Sequence, residues 1–178
     1  QLGDFLKKEY RDVKSDVFSA FMVRNTYLAL KGGQLGFMTP FVWMFISSYE
    51  KLRIFLLEQK TITSLIQLEY SGFDGATVPI CTFTIENKHR PAFRGGYVRL
   101  SDFRGAKNQA PKTLEAIQNP NCGWFYRASA NDFEKIPGSP IAFWASNKIF
   151  NAFRNEKPLS EVATPRVGFQ TGENGRFL

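Results

Sequence analysis

The residues with the clearest chemical use lie on one short loop. Phe73 stands between Gly72 and Gly75, flanked by two runs rich in β-branched and aliphatic residues, 62–69 and 78–85. That pattern predicts a β-hairpin with an aromatic ring near its tip. Folding alone does not require a large apolar ring between glycines. Such a ring either folds back onto the core or is held out to stack on a flat ligand. A second group follows at once. Between Glu86 and Lys112 stand the cations Lys88, Arg90, Arg94, Arg99, Arg104, Lys107 and Lys112, against the acids Glu86 and Asp102. Most of the formal net charge of +7 therefore sits in this stretch. Many charge runs are only solvated surface. An arginine-dominated cluster directly after a candidate stacking loop also fits a nucleic acid, with the ring meeting a base and the cations meeting phosphates.

Other chemistries lack the residues they need. His89 is the only histidine, and Cys81 and Cys122 are the only cysteines. That set makes neither a zinc site nor a self-contained hydrolase triad, and it reads as two reduced thiols. The glycine pair Gly32 and Gly33 follows a helical pattern rather than a strand, so it is not a nucleotide-binding turn. A hydrophobic fraction of 43% and an aromatic fraction of 15% mark a globular chain. Its 178 residues can bury one sizeable core. No apolar run reaches membrane-spanning length, since residues 37–46 are too few and contain Pro40. The first residues lack the order of a signal peptide, so a cytoplasmic location is expected.

The elements that position these groups follow from periodicity. Leu2, Phe5 and Leu6 predict a short first helix. Ser15 or Asp16 caps a second, with Val17, Phe18, Phe21, Met22 and Leu28 as its apolar stripe and Gly32-Gly33 as its left-handed C-terminal cap. Residues 34–39 form a strand that Pro40 stops, which sets Thr39, Pro40 and Phe41 at the ligand-facing edge of an α/β sheet. Ser47 and Glu50 have capping-box spacing for a third helix that buries Leu52, Phe55 and Leu56 and ends near Gln59 or Lys60. The hairpin comes next. Beyond it, residues 97–100 and 123–128 read as strands, and Pro111 opens a helix running to Gln118. Residues 141–153 read as a helix with Phe143, Trp144, Ile149, Phe150 and Phe153 on its apolar face. Leu159 and Val162 mark a last short element.

This series resembles the second half of an adenine-specific DNA methyltransferase catalytic domain. Residues 15–21, the GG-x-L-x-F-x-x-P run ending at Pro40, Trp43, residues 49–53 and the hairpin from Tyr70 to Asn87 carry the likeness. The match is closest to the large methyltransferases of BREX phage-defence systems, the PglX type. Residues 119–126 and 165–172 resemble later parts of the same proteins, so the likeness covers nearly the whole chain. It implies an α/β fold: the C-terminal half of a Rossmann-like methyltransferase sheet ending in an antiparallel β-hairpin, followed by an α+β extension. Residues 1–87 would be the second half of the catalytic domain. Residues 88–178 would be a basic extension leading into a target-recognition region, docked rather than independent.

The resemblance also implies roles. Phe73 would stack on a flipped adenine, and Phe21 would line the adenine side of an S-adenosylmethionine pocket. Arg90, Arg94, Arg99, Arg104 and Lys107 would contact DNA. The implied partners are double-stranded DNA and other phage-defence subunits, with no membrane and no metal. The glycine-rich cofactor loop and the Asn-Pro-Pro-Tyr motif of such enzymes are not in this sequence. The chain therefore reads as a fragment, inactive alone, whose main cofactor motif lies outside it. Two further readings stay open on the residues alone. One is a non-catalytic nucleic-acid-binding or specificity module on a half-Rossmann scaffold. The other is a methyltransferase acting on RNA, which base stacking and basic grooves serve equally.

Overall fold

Alternating burial along the strands places core on both faces of one sheet in the computed structural model, which describes residues 2–72 and 78–164. Phe73, Gly75 and residues 165–172 lie outside the described residues. The chain divides into two compact units, Gln1–Ala145 and Ser146–Leu178. The first contains α1 (Leu2–Glu9), α2 (Val17–Leu28), β1 (Gln34–Pro40), α3 (Glu50–Gln59), β2 (Thr61–Gln67) and β3 (Ile80–Glu86). After these come β4 (Gly95–Arg99), α4 (Ala106–Gln118), β5 (Phe125–Ala128) and α5 (Ala130–Phe133). The second unit holds α6 (Asn147–Asn155) and α7 (Leu159–Val162).

The five strands form one sheet in the order β1-β3-β2-β4-β5. The expected hairpin is present: β2 and β3 pair antiparallel, with Leu65 opposite Phe83. β3 also pairs antiparallel with β1, with Phe37 opposite Phe83. β2 runs parallel to β4, and β5 returns antiparallel to β4. One face carries Leu65, Phe83, Ile85 and Tyr97 against Met22, Trp43, Leu52, Leu56 and Phe143. The other carries Val98 and Leu100 against Ala116 of α4, with Ile66, Leu68, Phe103 and Trp124 around them. Helices thus cover both faces, the arrangement that parallel pairing requires.

α2 starts as its sequence predicts, with the Asp16 carboxylate accepting the Val17 N–H at 2.6 Å. Its buried residues are Ser19, Ala20, Met22, Val23 and Thr26, whereas Phe21 and Leu28 of the expected stripe are exposed. Gly32 does not cap this helix. Ala29 already turns extended, and Gly32 (φ +79°) serves a turn closed by Gly33 N–H to Leu30 C=O at 2.9 Å. The cap comes from far away: the Asn87 amide donates to the carbonyls of Thr26, Ala29 and Leu30 at 2.9, 3.0 and 3.2 Å. It satisfies acceptors that the end of a helix leaves unpaired.

Three further expectations are corrected. Ser47 does not cap α3, because residues Ser47–Tyr49 form a tight 3-10 turn and the helix starts at Glu50. α4 begins five residues before Pro111, so the proline sits inside the helix. The 141–153 run is not one helix. Ile141 and Phe143 are buried in an irregular segment, where a turn through Phe143 and Trp144 is closed by the Ala145 N–H to the Ala142 carbonyl at 2.9 Å, and α6 starts only at Asn147. Phe143 stacks on Tyr97 at 5.0 Å between ring centres.

Arg53 fastens that segment. Only 1% exposed, its guanidinium donates to the carbonyls of Trp43 and Ile46 at 2.8 Å and to Gly138 at 2.9 and 2.7 Å. Burial lowers its pKa from the ordinary arginine value, partly offset by the charge of Glu50.

Candidate functional site

Parallel strands in α/β sheets present ligand sites beyond their C-terminal ends. Here β2 and β4 finish together, with Gln67 opposite Arg99. Two connections leave this edge: the hairpin loop after Gln67, and the turn after Arg99 that opens α4. Leu68 N–H still pairs with the Ile80 carbonyl at 3.0 Å, and Leu100 N–H with that of Gln67 at 2.9 Å. Beyond these the ladder ends, and side chains take over.

The Glu69 carboxylate accepts from the Ser71 hydroxyl at 2.6 Å, the Ser71 N–H at 3.0 Å and the Gly105 N–H at 3.1 Å. The Ser71 hydroxyl bond, then the Gly105 and Ser71 N–H groups and the charge of Arg104, hold its carboxyl below the usual range against the opposing effect of burial. From the other side, Gln109 of α4 reaches back. Its carbonyl oxygen accepts the Glu69 N–H at 3.1 Å, and its amide donates to the carbonyls of Phe103 and Gly105 at 2.6 and 3.0 Å. Gly72 lies hard against it. A Cβ there would stand 2.8 Å from the Glu69 carbonyl oxygen and 2.9 Å from Gln109 Cδ. Neither Glu69 nor Gln109 is a residue that the sequence singles out. The available signal is that Gln109 shares a helical stripe with Thr113 and Ala116, where an apolar residue is expected.

The sequence-predicted cations do not form one patch. Arg99, Arg104 and Lys107 lie at the strand-end edge, beside the hairpin base. The Arg99 guanidinium sits 4.5 Å above the Trp144 ring. Arg104 and Lys107 are exposed on the turn and the first residues of α4. Arg90 and Arg94 lie toward the start of β4, about 17 Å of strand from Arg99 at roughly 3.3 Å per residue for Arg94. Both have carboxylate partners: Arg90 pairs with Glu86 at 3.0 Å, and Arg94 with Asp132 at 3.3 Å. Arg94 also donates to the Arg127 carbonyl, and Arg127 returns a bond to that of Arg94 at 3.0 Å. Gln67 Oε1, Arg99 Nε and Ser101 Oγ, all near the strand-end edge, are buried without a hydrogen-bond partner in the protein.

Phe21 is placed elsewhere, on the open side of α2. Its ring is 59% exposed and borders a cleft of about 230 Å³ with Leu2, Phe5, Leu6, Tyr10, Val17, Ala20 and Arg24. An exposed ring beside an apolar cleft is available for stacking, which a core phenylalanine is not. Cys81 is unsuited to nucleophilic work. Burial pushes its thiol up to about 11, with hydrogen bonds to Thr39 and Trp43 opposing. Among the described residues, no group of His, Cys, Asp and Glu could hold a metal ion, and no helix is long and apolar enough to cross a membrane.

Comparison with known proteins gives a consistent outcome. The Eco57I restriction-modification methylase family matches residues 2–73. The adenine-specific methyltransferase PglX of Lacticaseibacillus casei (strain Zhang) is 35% identical over 184 residues, covering 99% of this chain and 15% of that protein. The adenine-specific methyltransferase BrxX of Escherichia coli O9:H4 (strain HS) is 36% identical over 155 residues, covering 85% of this chain and 12% of that protein. The chain thus spans a small part of the curated relatives it matches. Among solved structures, the type I restriction-modification methyltransferase subunit from Streptococcus thermophilus superimposes with a TM-score of 0.59 at 20% identity. That match covers 79% of this chain and 33% of that subunit. The fold is therefore part of a Rossmann-like α/β sheet, with the antiparallel hairpin of β2 and β3 inside it between β1 and β4.

Proposed function

We propose, on the premise that this chain is similar over nearly its whole length to one segment of the PglX-type adenine-specific methyltransferases, that it is the base-holding and DNA-contacting part of such an enzyme. The observation that carries this reading is the 35% identity over 99% of the chain. The reaction would transfer a methyl group to the exocyclic amine of adenine in double-stranded DNA, in restriction-modification or phage defence. S-adenosylmethionine supplies that methyl group when bound. Phe21, with its exposed ring beside an apolar cleft, fits one wall of the pocket for the cofactor's adenine. The glycine-rich loop and the Asn-Pro-Pro-Tyr motif are assigned to the longer protein.

An adenine inside the duplex is out of reach, so it must swing out at a cost of a few kcal/mol. Phe73 receives it by stacking. Arg99, Arg104 and Lys107 meet the DNA beside it, which their position at the strand-end edge supports. Arg90 and Arg94 are a lesser part of the contact, because Glu86 and Asp132 already balance them. Residues 1–87 serve as the second half of the catalytic domain and residues 88–178 as the extension leading toward target recognition. The other phage-defence subunits implied by the family would act beside it, in the cytoplasm.

The test is incubation of the full-length protein with S-adenosylmethionine and either duplex DNA or RNA, followed by nucleoside mass spectrometry. N6-methyladenine in the DNA is the expected product. Methylation confined to RNA, or none in a protein that binds the cofactor, would overturn the reading.

A further inference from the structure

We propose that Glu69 and Gln109 are positioning residues that tie the DNA-contacting turn before α4 to the loop that holds the flipped base. The inference rests on the methyltransferase reading above and extends it to residues that the reading does not assign.

The β2 ladder runs out at Leu68, whose N–H is the last to find a strand partner. The next N–H, that of Glu69, is taken by Gln109 Oε1 at 3.1 Å. A helix side chain thus continues the pairing that the strand gives up. The same amide group donates to the Phe103 and Gly105 carbonyls, at 2.6 and 3.0 Å, which stitches the turn to residues 69–72, the hairpin stalk beyond β2. Glu69 makes the reciprocal stitch through its carboxylate, which joins Ser71 in the stalk to Gly105 in the turn. Gly105 immediately precedes the first turn of α4, where the helix dipole favours a negative group. Gly72 completes the contact, since any side chain there would collide with Gln109.

Gln109 is 6% exposed, so these bonds are shielded from water on that side. Arg104 and Lys107 sit on the very segment so tied. A phosphate that fixes the turn therefore fixes residues 69–72, and with them the starting point of the base-holding loop. DNA contact and base holding become one mechanical unit rather than two independent ones.

The experiment uses the full-length protein and two duplexes: one with the target adenine, identified beforehand by the wild type's methylation, to read kcat, and one with 2-aminopurine in its place to read base flipping. Gln109→Leu keeps the bulk and removes every stitch that this side chain makes. It should lower both kcat and the 2-aminopurine signal by about tenfold, the scale of one to two lost buried hydrogen bonds. DNA affinity should stay within about threefold, because the phosphate contacts are intact, and the melting temperature should fall by only a few degrees, the scale of the Glu69 N–H and Phe103 carbonyl losing a partner while both cores stay packed. Glu69→Gln keeps an acceptor for the Ser71 and Gly105 N–H groups and should retain most activity, whereas Glu69→Ala should not. Wild-type kcat and signal in Gln109→Leu would overturn the positioning role. So would a parallel loss of fold and DNA binding, which would make the residue merely structural. If the wild type itself methylates no adenine, the methyltransferase reading fails instead.

Discussion

Replacing Arg53 by methionine should loosen one identifiable segment of the protein. The guanidinium is 1% exposed and bonds the carbonyls of Trp43, Ile46 and Gly138. Methionine fills similar space but leaves two acceptors, the Trp43 and Gly138 carbonyls, without a donor, each at about 1–3 kcal/mol if it stays buried, while the Ile46 carbonyl keeps the Tyr49 N–H at 3.1 Å. Relief from burying a charge offsets part of that, so a net loss of roughly 3 kcal/mol is expected. The loss should be local, because Gly138 lies in the stretch leading to Ile141 and Phe143. Hydrogen exchange by mass spectrometry reads it directly. Amides such as Ile141 N–H, bonded to the Met44 carbonyl at 2.9 Å, should exchange about a hundredfold faster at 1.4 kcal/mol per tenfold. Amides in β3 should change little. Arg53→Lys should fall between, since an ammonium group cannot reproduce the planar fork. Exchange within about threefold of wild type across residues 136–144 would show that these bonds contribute little, and would refute the argument.

Four other outcomes follow from the same geometry. The joint change Arg104→Ala with Lys107→Ala should reduce the log–log salt slope of DNA binding by about 1.8, at roughly 0.9 per phosphate. The joint change of Arg90 and Arg94 to alanine should leave that slope nearly unaltered, because their charges answer Glu86 and Asp132. A thiol reagent at mild alkaline pH should label Cys122 well before Cys81, whose thiol is held neutral up to about 11. Because burial raises that pKa above the ordinary value of 9.0, the Cys81 contribution to stability is present below pH 9 and is lost as pH rises toward 11. A stability profile that improves across that window, in a comparison with Cys81→Ser, would contradict the assignment.

Local sequence carried the hairpin because its determinants are local: two β-branched runs and a glycine-containing connection. The same holds for the start of α2, where Asp16 caps its own neighbour. Partners distant in sequence are what escaped it. Asn87 caps a helix that ends at Leu28, Arg53 holds a loop at Gly138, and Glu69 and Gln109 lock two connections across the sheet edge. No spacing rule relates such pairs. The cations between Glu86 and Lys112 form one run in the sequence, but the fold separates them for a related reason. Arg94 and Arg99 are five residues apart in the chain, but β4 carries them to opposite ends of one strand. The run after Pro140 shows the limit of periodicity itself, since apolar residues from 141 to 153 satisfy a helical pattern, yet the chain turns at Phe143 and Trp144 to seat Phe143 on Tyr97, and the helix begins only at Asn147.

The central claim, that this chain holds the flipped adenine, is tested most directly at Phe73. The measurement is the single-turnover rate of methyl transfer to duplex DNA by the full-length protein, with cofactor affinity and melting temperature measured alongside. Stacking is worth about 1–3 kcal/mol per base by alanine substitution. Phe73→Ala should therefore slow transfer by about tenfold to a hundredfold while cofactor affinity and melting temperature stay near normal. Phe73→Trp and Phe73→Tyr should keep much of the rate, because each retains an aromatic face. A core phenylalanine behaves differently: its truncation to alanine removes about 3–5 kcal/mol of stability. A large fall in melting temperature with an unchanged rate in the protein that remains folded would contradict the account.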